Sequence, residues 1–189
     1  MPKGIVTLGM VVLLSLFTAC QEEVLPKPTA LLRLDYPVAT YMEFNSPCPF
    51  EFQYNADTKV KVKQDCGVTI AYPKMKATVY LTYRQVNNNI DDLLKDAQKL
   101  TFEHVIKADD IVEIPFMNPE NKVYGMFYDL GGNAASNTQF YLTDSIQHFV
   151  TGSVYFYSKP NYDSIMPASS YIKDDMKTLM ETIRWKAKN

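Results

Sequence analysis

The sequence predicts an α+β fold, a mainly antiparallel β-sheet flanked by helices. Three observations predict it. Most segments between Leu31 and Tyr157 alternate apolar and polar residues at the period of a strand, or are dense in β-branched and aromatic residues. Two segments instead repeat apolar residues at helical spacing, one between two runs of strands and one closing the chain. Connections in the second run are of hairpin length, which joins neighbours antiparallel and leaves the helices to pack on the sheet as a separate layer.

Taken in order, Leu31–Tyr36 reads as a strand that stops at Pro37. Phe50–Tyr54 alternates strictly, and Lys59–Lys63 alternates with lysine outward, the mark of an edge strand. Val68–Tyr72 alternates again, and Ala77–Tyr83 carries β-branched and aromatic residues on both faces, as a central strand should. A helix follows, with Asn88 or Asn89 as its cap and Asp91 and Asp92 at the positive end of its dipole. Its stripe runs through Ile90, Leu93, Leu94, Ala97, Leu100 and His104, with Lys107 near the far end. Strands then fall at Ile111–Phe116, Lys122–Tyr128, Thr138–Leu142 and Gln147–Tyr157, the last broken or bent near Thr151 and Gly152, with a hairpin turn at Thr143–Ser145. Pro167–Trp185 returns to helical spacing through Ile172, Met176, Leu179, Met180 and Ile183, with Pro167 in the first turn. This order is similar to that of the PsbP and Mog1-like sandwich folds.

The amino end carries an address. A short basic start at Lys3 and the apolar run Ile5–Phe17 form a secretory signal, residues 1–19. The run is shorter than the roughly 20 apolar residues a membrane-spanning helix needs, and no later run is long enough. Leu16-Phe-Thr-Ala-Cys20 resembles the lipobox of bacterial lipoproteins, with Phe17 where leucine is usual. The resemblance implies that Cys20 is acylated and becomes the new amino terminus; two or three acyl chains anchor stably where one holds marginally. The alternative is a secreted protein cut near Ala19 with Cys20 as a free thiol. Gln21-Glu-Glu23 stands in place of the aspartate that retains lipoproteins at the inner membrane, which implies the outer membrane and leaves its periplasmic or surface side open. Residues 20–30, with Pro26 and Pro28, read as a tether, and 31–189 as one domain.

Apolar residues make up 47% of the chain and aromatics 13%, enough for a packed core. Without the signal, 18 basic side chains face 21 acidic ones, a formal charge of −3, so nucleic acid is excluded as a partner for want of cations to neutralise phosphates. Cys48 and Cys66 would pair in an oxidising compartment, with about 3 kcal/mol from the shortened unfolded loop. A metal site is the rival reading, and two thiols so widely spaced with no nearby histidine make poor zinc ligation.

Chemistry-bearing motifs are sparse. His104 and His148 are the only histidines, and neither sits in a zinc, nucleophile-elbow or cysteine–histidine pattern. No catalytic residue, metal or cofactor is therefore expected. Gly131, Gly132, Asn133 and Ser136 mark a loop that could cradle an anion or dock a partner, or that simply needs positive φ angles. Asn161 and Tyr162 lie in a second polar loop with recognition-prone side chains, and the aspartates around the first helix read as solvated.

Longer runs carry a stronger signal. LPKP (Leu25–Pro28), LRLDYP (Leu32–Pro37), CPF (Cys48–Phe50), YPKMKATVYLTY (Tyr72–Tyr83), LLKDAQKLTFEH (Leu93–His104), KVYGMFYDLGGNAASNTQFYLTDS (Lys122–Ser145) and TGSVYFYSKPNYDS (Thr151–Ser164) together resemble the GldD family, over about Pro26 to Trp185. The resemblance implies a lipid-anchored envelope protein of bacteria that glide and secrete through the type IX system. It implies other gliding or secretion proteins as partners and a membrane reached through the acyl chains on Cys20, and it supplies no catalytic residues. Beside this non-enzymatic assembly role stands an alternative, an envelope small-molecule or glycan-binding module near Gly131 and Gly132. A hydrolase using His104 or His148 is a third reading.

Overall fold

The computed structural model describes residues 36–103, 108–132, 134, 136–157 and 162–186. Among them the elements run β1 (Tyr41–Glu43), β2 (Phe50–Glu51), β3 (Gln53–Asn55), β4 (Lys59–Val62), β5 (Val68–Tyr72), β6 (Ala77–Gln85), α1 (Ile90–Glu103), β7 (Ala108–Asn118), β8 (Val123–Gly132), β9 (Thr138–Thr143), β10 (His148–Phe156), α2 (Tyr162–Thr182) and β11 (Arg184–Trp185). The architecture is α+β. A seven-stranded sheet has the order β4-β5-β6-β10-β9-β8-β7 with every neighbour antiparallel. Two antiparallel ribbons, β1 with β3 and β2 with β11, stand beside it.

One sheet face is closed. Val68, Leu81 and Gly152 lie in register on it, as do Ile70, Val79 and Val154. Ile172, Met176, Leu179 and Met180 of α2, and Ile183 just beyond, join these residues in the main core. Phe44, Phe50 and Phe52 extend that core, with ring centroids of Phe44 and Phe52 4.5 Å apart. Each such side chain contributes about 1.5–3 kcal/mol by leaving water. Lys173 pairs with Asp129 at 2.6 Å beside this core.

Among the described residues the other face is closed only in part. The stripe of α1, through Ile90, Leu93, Leu94 and Ala97, packs on Val86, Tyr141 and Phe149. The carbonyl of Asn89 accepts the N–H groups of Asp92 and Leu93, and the Asn89 side chain accepts from Asn87 N–H, so the asparagine pair sets the start of the helix.

Both sheet edges are blunted. On β4, Lys59 and Lys61 are exposed. On β7 the device is Pro115. Leu130 of β8 donates to the Asn137 carbonyl on the β9 side, so by alternation Met126 faces the same way and its partner Pro115 occupies a position that points to solvent.

Four expectations need correction. Phe50–Tyr54 is two strands, because Phe50–Glu51 pairs with β11 and Gln53–Asn55 with β1. β10 is continuous from His148 to Phe156; Gly152 is there because a Cβ would lie 2.3 Å from the Phe140 ring. The second helix starts at Tyr162, which leaves Pro167 inside it, costing one hydrogen bond near the start. It ends at Thr182, and Arg184–Trp185 is drawn out as a strand by β2. The strand expected at Leu31–Tyr36 falls, except for Tyr36, outside the described residues.

Candidate functional site

The uncovered half of the second sheet face is the first candidate. Register aligns Lys61, Thr69, Tyr80 and Ser153 in one row across β4, β5, β6 and β10, and Lys59, Ala71, Thr78 and Tyr155 in the next. Thr82 and Arg84 continue the same face of β6. Lys59, Lys61, Thr82, Arg84 and Tyr80 are exposed. Tyr80 and Tyr155 meet edge to face with centroids 5.9 Å apart. The Thr78 and Tyr157 hydroxyls are hydrogen-bonded, and bonds from Thr78 and Tyr80 hold the Tyr157 phenol below its usual range. The exposed side chains here are two lysines, an arginine, Thr82 and Tyr80, with no carboxylate on this face of the strands, while Thr78 and Ser153 in the same rows are buried.

His148 has a packing role. Its Nδ1 lies 3.0 Å from the Tyr83 hydroxyl, and its ring stacks on Trp185 at 5.0 Å. Trp185 in turn donates Nε1–H to the Lys122 carbonyl at 3.1 Å. Burial lowers the His148 pKa, with Asp144 opposing. The Asp144 carboxylate accepts the N–H groups of Ile146, Gln147 and His148 at 2.8–3.0 Å. Burial pushes that carboxyl up, and these three donors outweigh it, so its pKa lies below the ordinary value. This is the hairpin turn that the residues Thr143–Ser145 predict. His104 lies outside the described residues.

A buried carboxyl was not singled out in the sequence. Asp175 of α2 is 5% exposed and receives hydrogen bonds from Tyr41 (2.8 Å), Asn55 (2.8 Å) and Tyr72 (3.0 Å). Burial raises its pKa, against the pull of those three donors. The cluster ties β1, β3 and β5 to α2, and its Asn55 and Tyr72 also line a small cleft with Tyr36, Pro37, Met75 and Tyr171. One signal could have found it: Asp175 falls between Ile172, Met176 and Leu179 on the apolar stripe itself.

The expected site residues are dispersed. Gly131 and Gly132 end β8, and Gly132 has φ 81°. Ser136 is fully buried with its hydroxyl donated to the Thr138 carbonyl, and Asn137 donates to the carbonyls of Leu130 and Gly132. These hydrogen bonds of Ser136 and Asn137 are made within the segment itself. Asn133, Asn161 and Cys20 lie outside the described residues, as does the side chain of Tyr162, whose backbone opens α2. Cys48 and Cys66 are joined by a disulfide with Cα atoms 5.5 Å apart, which pins the segment before β2 to the β4–β5 turn.

A groove of about 500 Å³ runs between Glu43, Asn45, Glu51, Gln53 and Arg184. Its lining is polar and bears both charges. Among the described residues no group of three or more histidine, cysteine, aspartate or glutamate side chains gathers to hold a metal, and no helix is long and apolar enough to cross a membrane.

Comparison with protein families gives a match over most of the chain. The family described as gliding motility lipoprotein GldD matches residues 21–185. No curated protein and no solved structure matches the chain significantly. That family is one of gliding motility lipoproteins and is not a known enzyme family. The match takes in every element of the fold from β1 to β11, and the chain belongs to the gliding motility lipoprotein GldD family.

Proposed function

We propose that this lipoprotein is a non-enzymatic assembly or stabilising component of the gliding and type IX secretion machinery. In this reading residues 1–19 are removed, acyl chains on Cys20 hold the protein at the outer membrane, residues 20–30 are the tether, and 31–189 dock another envelope component. The fold would group with the PsbP and Mog1-like sandwiches, and Cys48–Cys66 would be oxidised in the envelope. The observation that carries the proposal is the sheet face left uncovered beside α1, bearing exposed Tyr80, Thr82 and Arg84. Tyrosine and arginine are enriched at protein interfaces, and membrane confinement makes even a weak contact effective. His148 and Asp144, by contrast, are engaged in packing and turn bonds.

The test is Cys20→Ala in gliding cells, with fractionation and motility read together. Loss of membrane association and of gliding, with the fold intact, is the expected result. Normal gliding by an unlipidated, folded protein would overturn the anchoring half. A second reading, an envelope small-molecule or glycan-binding module, is favoured by the groove at Glu43, Glu51 and Arg184, whose volume of about 500 Å³ suits a small ligand. Glycan-array binding abolished by Glu51→Ala would favour it.

A further inference from the structure

We propose that the uncovered half of the sheet receives an acidic protein segment, an inference that rests on the docking role above. The charge pattern carries it. The chain is acidic overall, with 21 acidic side chains to 19 basic. Yet β4, β5 and β6 turn Lys59, Lys61 and Arg84 to this face, all exposed, and no carboxylate. A patch of one sign on a surface of the other steers opposite charge toward it and discriminates against like charge. Arg84 offers a planar fork that grips a carboxylate through two bonds, and Tyr80 offers a rigid amphipathic surface between the cations.

The structure also limits how the segment sits. Lysines on β4 and Pro115 on β7 discourage strand addition at either edge, so the partner lies across the face. An anionic bilayer is disfavoured because the positions between the cations are Thr69, Ala71, Tyr80 and Thr82, among which no long aliphatic side chain reaches for the acyl region.

The test places the photocrosslinker p-benzoylphenylalanine at Tyr80 of the full-length protein in gliding cells and maps the crosslinked peptide by mass spectrometry. The expected adduct is a segment of another envelope protein rich in aspartate and glutamate, reduced about tenfold or more by Lys59→Glu with Lys61→Glu and Arg84→Glu. These positions are exposed and glutamate keeps the β4 edge charged, so the fold should persist, as a thermal melt will verify. If the triple variant melts early, Arg84→Glu alone is read instead. An adduct to a protein segment with no acidic excess, indifferent to the charge reversals, overturns this inference and leaves the docking role standing. An adduct to lipid, to a second copy of the chain, to Glu22 and Glu23 of the same chain, or to nothing overturns the inference; lipid or nothing overturns docking through this face as well.

Discussion

Val79 and Tyr80 are chain neighbours on β6 with opposite fates: Val79 is 1% exposed in the main core, Tyr80 39% exposed on the other face. The difference lies in what covers each face. α2 supplies 21 residues, and the ring cluster of Phe44, Phe50 and Phe52 joins it; α1 supplies 14 and packs on Val86, Tyr141 and Phe149. A strand's alternation therefore says that two faces exist, and the helices decide which of them is core. Stability should reside on one face and recognition on the other.

The strongest way to break that division is to truncate each face in turn. Phe52→Ala should cost about 3–5 kcal/mol, because the fully buried ring leaves a cavity among Phe44 and Phe50. Tyr80→Ser loses its edge-to-face pair with Tyr155 and should cost about 0.5–1.5 kcal/mol, well below the loss at Phe52. Urea denaturation of the unlipidated protein checks both, and comparable losses would refute the division.

The disulfide comes next, since Cys48 is buried in the same core. With a separation of 18 residues, Cys48→Ser with Cys66→Ser should cost about 3 kcal/mol by the loop-entropy estimate. Reduced and oxidised proteins melting together would show that the bridge adds nothing.

The finest test concerns the buried carboxyl beneath the core. The folded-state pKa of Asp175 is raised above 3.8, so the folded chain keeps this proton to higher pH than the unfolded chain does. Stability from this group is accordingly full below 3.8 and falls as pH rises through the raised value. Asp175→Asn cannot ionise and misplaces one acceptor, which should cost about 1–3 kcal/mol at low pH. The gap to the native protein should narrow as pH rises. Denaturation across a pH series reads it, and a widening gap would mean the carboxylate is stabilised in place.

Much of the sheet was legible because alternation is a local signal: β4, β5, β6 and the strands from β7 to β10 all fall within the expected segments or extend them. β1, β11 and the break at Phe52 were not, since each is decided by a partner far along the chain, Tyr41 with Asn55 and Trp185 with Phe50. Gly152 reads locally as a break or bend because no local pattern announces the Phe140 ring above it. The basic face was equally hidden. Lys61 and Tyr80 become neighbours on one surface only through the register of β5 between them. Conversely, the Gly131–Gly132 pair drew attention by composition, and the hydrogen bonds Asn137 makes there stay within the segment itself.

The ribbon of β2 with β11 also has a consequence in time. An exported chain travels amino end first, so Phe50 emerges well before Trp185, its partner. Until then Phe44, Phe50 and Phe52 lack the residues of α2 and β11 that close over them, and the ring cluster stays available to any holding chaperone. Because that closure uses the carboxyl-terminal strand, the ribbon is expected to form last, a latch that the end of the chain sets.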